Sequence, residues 1–347
     1  MTTVLRKPES GGVDYPWPEP PPLGGTITVA PGIKWLRMPL PFRLDHINLY
    51  LLEGDKGWTV VDAGIGLDRT RELWQGVLDG ALDGKPVTRV IVTHFHPDHM
   101  GNAHWLTERC GIDLWCSQAE WLMAQLAWRT GGDLDRRLLY YERNGVSEAH
   151  LALLRERGQH YLKVVPSVAP SFYGVRDGDT LTIGERSWEA LTVFGHSPEQ
   201  VILSAREGGI LVSGDQILPK ITTNVSVWPD QPLGNPLRLY LGSLERFRGM
   251  ADETLVLPSH GLPFHGLQGR IARLRAHHDE RLAQAVDALG EAKTGAEVLP
   301  ILFSRDLDTH QFGFAFGETL AHLHYLEWQG RALRVIGEDG RHRFQRI

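Results

Sequence analysis

Cysteine is nearly absent: only Cys110 and Cys116 occur in 347 residues. They are too few for a disulfide framework, and their spacing is neither a CxxC pair nor a zinc ribbon, so both read as free thiols. No run of about 18 apolar residues exists, which excludes an evident membrane span. Basic residues are in the minority, with 36 Lys and Arg against 42 Asp and Glu and a formal net charge of -6. The chain as a whole therefore has no electrostatic reason to seek nucleic acid or an anionic membrane. The Pro-rich and Gly-rich stretch over residues 1–25 lacks the apolar core of a secretory signal. It reads as an extended lead-in over the surface, and the expected location is the cytoplasm.

What is present is an ordinary globular composition, 42% hydrophobic and 22% charged. The length suits one large domain with an appendage, or two domains. Histidine is the anomaly. Of 16 in the chain, three fall between His94 and His99.

From about residue 26, short β-rich runs alternate with turns: GTITVAPGIKWLRM, HINLYLLEG and GWTVVDAG read as strands. A helix is expected near Asp68 to Gly80. VTRVIVTHFH follows as a buried strand that runs into the histidine cluster. Asp98 is placed to cap a helix over 99–109 that Gly111 ends, before DLWCS resumes as a strand. Residues 117–163 read as a helical insertion with apolar spacing at Trp121, Leu122, Leu126, Leu138, Tyr141, Leu151 and Leu154. Strands return with GDTLTIG, WEALTVFGH, QVILSAREGGILVSGD and ETLVLPSHG. After Gly266 come a long amphipathic helix stopped by Gly290, a second helix near Ala296 to Phe303, a third near Phe316 to Gln329, and a C-terminal β-hairpin. The expected organisation is a lead-in (1–25), a layered catalytic domain (26–266) and a winged-helix-like module (267–347).

In Thr93-His94-Phe95-His96-Pro97-Asp98-His99, residues two apart on an extended strand end point the same way, so His94 and His96 can share one ion. Pro97 breaks the strand, and Asp98 with His99 on the following turn can face a neighbouring position. Further donors stand just after β-like runs: His196 in FGHSPEQ, Asp215 in SGDQ and His260 in PSHG. Imidazole and carboxylate together suit zinc, iron or manganese.

HFHPDH followed by GH, GD and SHG resembles the metallo-β-lactamase superfamily of metal hydrolases, over roughly residues 26–266. The resemblance implies an αββα sandwich with two divalent metal ions, zinc by default, at the edge of its sheets. By position, His94, His96 and His196 would bind the first metal, Asp98, His99 and His260 the second, and Asp215 would bridge them. Asp62 in VVDAG matches the motif that props the metal loop from behind. Asp98 would orient the attacking hydroxide and carry its proton. The superfamily's true β-lactamases carry Cys where this chain has Asp215, and its diiron flavoproteins carry a carboxylate where it has His96. Antibiotic hydrolysis is therefore disfavoured, and hydrolysis is favoured over redox chemistry.

The tail resembles that of a subgroup including the β-lactamase-like protein 2 enzymes, in which some members hydrolyse acyl thioesters and others cut single-stranded RNA. Weak basic character and aromatic residues in the insertion favour a small acyl substrate over RNA. The third C-terminal helix carries Glu318 and Glu327 and no basic residue, which disfavours DNA. Trp121, Tyr141, Lys220 and Asn224 are the expected substrate-pocket residues. Persulfide dioxygenase, glyoxalase II chemistry and a metal-bearing regulatory protein are the remaining alternatives. A homodimer is compatible with the chain, and no membrane partner is expected. The default for His104, His160, His277, His278, His310, His322 and His324 is a surface or core role, while His46 and His265 could face the cleft.

Overall fold

The computed structural model describes residues 12–131, 133–158 and 161–347. Residues 1–11, His160 and the His310 side chain lie outside that set.

The first sheet runs in chain order: β1 (Thr26–Ala30), β2 (Ile33–Pro39), β3 (His46–Gly54), β4 (Gly57–Val61), β5 (Val87–Ile91), β6 (Leu114–Cys116) and β7 (Tyr173–Gly174). Pairing is antiparallel up to β4 and parallel from β4 to β7. Each parallel step needs a helical crossover. α1 (Asp68–Gly76) joins β4 to β5, and α2 (Pro97–Met100) with α3 (Ala103–Cys110) joins β5 to β6. Four helices, α4 (Gln118–Thr130), α5 (Leu134–Arg143), α6 (Glu148–Arg157) and α7 (Tyr161–Val164), fill the step from β6 to β7. The second sheet contains β8 (Thr180–Ile183), β9 (Arg186–Val193), β10 (Gln200–Ala205), β11 (Ile210–Gly214) and β12 (Leu255–Pro258), in the order β12-β11-β10-β9-β8. α8 (Pro236–Ser243) precedes its parallel edge strand β12. The chain ends with α9 (Leu267–Ala288), α10 (Gly295–Leu302), α11 (Thr309–Trp328) and the antiparallel hairpin β13 (Ala332–Ile336) and β14 (His342–Arg346).

Strands buried on both faces read as continuous apolar runs, and the period of two sorts their side chains into layers. On β3, Tyr50 and Leu52 enter the core between the sheets, while Leu49 and Leu51 enter the core beneath the helices. Between the sheets, Trp35, Val61 and Ile91 meet Val201, Leu203 and Val212. Outside the first sheet, Val60 and Val90 pack against Trp74, Leu106 and Ala124. Outside the second, Ile202, Leu211 and Val256 meet Tyr240, Leu274 and Phe316. The architecture is thus the expected αββα sandwich, with α9–α11 and the hairpin packed on the second sheet.

Several local expectations change. Asp98 does not cap a helix: Pro97, well suited to the first helical position, starts the short α2 with His96 as N-cap, and α3 begins separately after Asn102. Gly111 does end α3, at φ 66°. Leu122 and Leu126 are exposed, because α4 buries Glu120, Ala124 and Gln125 instead. α11 begins at Thr309 rather than Phe316, since Asp308 and Gln311 form a capping box there.

Candidate metal centre

The ends of β5, β9, β11 and β12 converge at one edge of the sandwich, and each delivers part of the histidine and aspartate set. Positive-φ glycines set two of these deliveries. Gly195, at φ 109° before His196, approaches the Tyr240 nitrogen so closely that a Cβ would lie 2.5 Å from it. Gly214, at φ 51° before Asp215, would place a Cβ 2.3 Å from the Gln200 amide. Backbone contact and φ together require glycine at 195, while at 214 the left-handed φ favours it.

Three imidazole nitrogens meet in the first group. His94 Nε2 lies 3.0 Å from His96 Nδ1 and 3.1 Å from His196 Nε2. In the second group, His260 Nε2 is 3.3 Å from Asp98 Oδ2, and His99 Nε2 is 3.7 Å from the same oxygen. Asp215 faces both groups: Oδ2 lies 3.4 Å from His196 Nε2, while Oδ1 lies 3.6 Å from His99 Nε2 and 3.4 Å from His260 Nε2.

Neighbouring groups fix which nitrogen of each ring is bare. The Asp62 carboxylate accepts from Thr93 N at 2.7 Å and lies 2.8 Å from His99 Nδ1, so Nδ1 donates and Nε2 is turned to the centre. His196 Nδ1 donates to Asn224 O at 2.8 Å, and His260 Nδ1 to His46 O at 2.9 Å. The three Nε2 atoms thus face the centre, where a bound cation would take the place of any proton on them. Asp62 holds its place at φ 62°, unusual for a side chain other than glycine.

Burial holds the imidazoles of His94 and His196 below the usual histidine range and pushes that of His96 down to about 3, which keeps all three neutral. At His99 burial also opposes charge, but Asp62, Asp98 and Asp215 outweigh it and lift the imidazole to about 9. His260 is raised well above its usual value, against burial, chiefly by Asp215. The Asp215 carboxyl is held far down, despite burial, by His260 and His99.

This set fits divalent cations. Among the described residues, His99 Nε2 and Asp215 Oδ1 are buried without a hydrogen-bond partner, a costly condition that a cation would relieve. His94, His96 and His196 could hold one ion and Asp98, His99 and His260 another, with Asp215 reaching both. The spacings of the first group approach the roughly 3.3 Å between neighbouring ligands of a tetrahedral zinc.

The expected pocket residues are placed differently. Lys220 is exposed, on a segment that buried Arg270 fixes through Leu218 O and Ile221 O, both at 2.6 Å. Asn224 supports His196 through its carbonyl. Trp121 donates to Ala169 O at 2.8 Å and stacks on Phe172, and Tyr141 is buried edge-on against Phe316. The last two side chains sit in packing positions within the outer layers.

Glu120 was not singled out by sequence reasoning. It is fully buried, and its carboxylate accepts from Phe95 N at 2.9 Å, Ser197 Oγ at 2.7 Å and Glu199 N at 2.6 Å. One side chain on α4 therefore ties the loop of His94 and His96 to the loop of His196. His46 clamps the His260 loop, its Nε2 accepting from Gly261 N at 3.0 Å. His265 instead pairs by its backbone with Asp14 of the lead-in.

The description "Metallo-beta-lactamase superfamily" matches residues 43–260, and "Metallo-beta-lactamase-like, C-terminal domain" matches residues 282–347. A beta-lactamase domain protein from Burkholderia ambifaria, known by crystal structure, is 45% identical, with a TM-score of 0.91 over 96% of this chain and 98% of that one. The probable metallo-hydrolase YqjP of Bacillus subtilis is 23% identical over 311 residues, 86% of this chain and 95% of its own. The acyl-coenzyme A thioesterase MBLAC2 of Gallus gallus is 27% identical over 242 residues, 66% of this chain and 77% of its own. Among the described residues no helix is long and apolar enough to cross a membrane. With a family match over most of its length and buried imidazoles and carboxylates fit for divalent cations, the chain belongs to the metallo-beta-lactamase superfamily and is a metal-dependent hydrolase of it.

Proposed function

We propose that this chain hydrolyses an acyl thioester, using two divalent cations held by His94, His96 and His196, by Asp98, His99 and His260, and by Asp215 between them. The observation that carries this reading is Asp215, whose two oxygens face different donor groups. When bound, such a pair polarises the acyl carbonyl and makes water acidic enough to attack at neutral pH.

The chain's own groups supply the rest. Asp62 keeps His99 in the tautomer that leaves Nε2 bare, and the carbonyls of Asn224 and His46 do the same for His196 and His260. Asp98 is the proton carrier: its carboxylate is 18% exposed, 3.3 Å from His260 Nε2, within reach of both the site and solvent. The water oxygen bonds to the acyl carbon and the C–S bond breaks. The proton lost by water passes through Asp98 to the departing sulfur, giving an acid and a thiol. Lys220, on the segment after Asp215, is available to pair with an anionic carrier. The acidic chain and the likeness to an acyl-coenzyme A thioesterase support an acyl substrate over a polynucleotide.

The test is elemental analysis of the isolated protein, paired with thiol release from an acyl-coenzyme A panel and cleavage of a single-stranded RNA. Two metals per chain with thiol release are expected. RNA cleavage without thioester turnover would replace the reading with an endoribonuclease, and one iron per chain with neither activity would point to persulfide oxidation.

A further inference from the structure

Helices α9 and α11 cross in the outer core of the second sheet, where apolar contact is the rule, yet they bring ionisable groups together there. His278 is 0% exposed, His322 1% and Glu318 6%. Buried polar groups of this kind are costly unless each has a partner.

The hydrogen bonds determine where the protons sit. His322 Nδ1 lies 2.8 Å from Glu318 O, a carbonyl that can only accept, so Nδ1 is protonated and Nε2 carries the lone pair. That Nε2 lies 3.2 Å from His278 Nδ1, which must therefore donate. His278 Nε2 is left with a bare lone pair, and it is buried without a partner among the described residues. One donor atom from each of His277, His278 and Glu318 lies within 4.8 Å of the others.

We propose that His277 and His278 of α9 and Glu318 of α11 hold a further divalent cation of the zinc class, separate from the centre formed by residues 94–260. Two imidazoles and a carboxylate, with water in the fourth position, form a recognised zinc donor set. Adjacent helical positions diverge by roughly 100°. The His277 and His278 rings nevertheless stand only 5.3 Å apart, at 76°. Closing onto a tetrahedral ion requires donor atoms roughly 3.3 Å apart, a contraction on the order of an ångström. The cation partners the bare His278 Nε2 and gives Glu318 a counter-charge. Burial alone pushes the Glu318 carboxyl up to about 7, against the pull of Arg281 and Arg305. The ion would staple α9 to α11. The competing arrangement, a protonated Glu318 donating to His278 Nε2, is not formed, since that nitrogen has no hydrogen bond among the described residues.

The test uses the full chain, stripped of metal and reloaded with zinc alone, then crystallised for anomalous scattering at the zinc edge. A peak between His277, His278 and Glu318 is expected, resolved from any at the residue 94–260 centre. In solution, Glu318→Gln should bind one zinc per chain fewer than the parent. No peak at the cluster in crystals that show peaks at His94 to His260, or equal zinc content in parent and Glu318→Gln, would overturn the proposal. If the variant does not fold, the parent's peak decides alone. Failure of the thioesterase reading would appear as absent turnover and leave this outcome unaffected.

Discussion

Replacing Glu120 by Gln changes one oxygen of a buried carboxylate into an amide nitrogen at nearly constant volume. The parent carboxylate accepts three hydrogen bonds, from Phe95 N, Ser197 Oγ and Glu199 N. A glutamine oxygen can still serve the Ser197 and Glu199 side, but its NH2 then faces the Phe95 N–H, donor against donor. A hydrogen bond to a charged group contributes about 1.5–3 kcal/mol. Phe95 stands between His94 and His96, so if the ligands feel the whole loss, metal affinity falls roughly 10- to 100-fold. Chelator competition with zinc would measure it, with urea unfolding of the metal-free protein run beside it to separate loss of positioning from loss of fold. Acidity supplies a second readout. Burial raises the Glu120 carboxyl to about 7, so below that pH the parent carries a proton on the carboxyl and comes to resemble the variant. The affinity gap between the two should be widest above pH 7 and shrink on acidification. Equal zinc affinity for parent and Glu120→Gln at pH 8 would refute the reasoning.

Asp62→Asn keeps a residue that tolerates the left-handed backbone but weakens the acceptor that orients His99. Zinc affinity of the second group should drop about 10- to 100-fold by the same chelator titration. Asp98→Ala should abolish turnover, and full activity in the metal-replete variant would reject its role as proton carrier. Leu203→Ala, between the two sheets at 0% exposure, should cost about 2–5 kcal/mol of unfolding free energy, read by urea denaturation, with the histidine and aspartate cluster untouched.

The residues that convert this fold into a site differ in how far they announce themselves in the chain. His94, His96, Asp98, His99, His196, Asp215 and His260 were legible because imidazole and carboxylate after apolar runs are chemically specific, and because strand ends gather at one edge of a layered sheet. The strands themselves were legible since both faces are buried, leaving runs such as VILSA almost free of charge. Glu120 was hidden by an equally good local explanation. Ser117-x-x-Glu120 has the spacing of a capping box, and Ser117 does accept from Glu120 N, but the carboxylate turns away to two loops 25 and 79 residues distant. The pairing of His278 with His322 spans 44 residues across two helices, and no period along either helix encodes it. Local chemistry was thus readable wherever a residue's neighbours in sequence were also its partners. The groups that position these side chains have partners that only the packed sandwich creates, so their roles became visible with the fold.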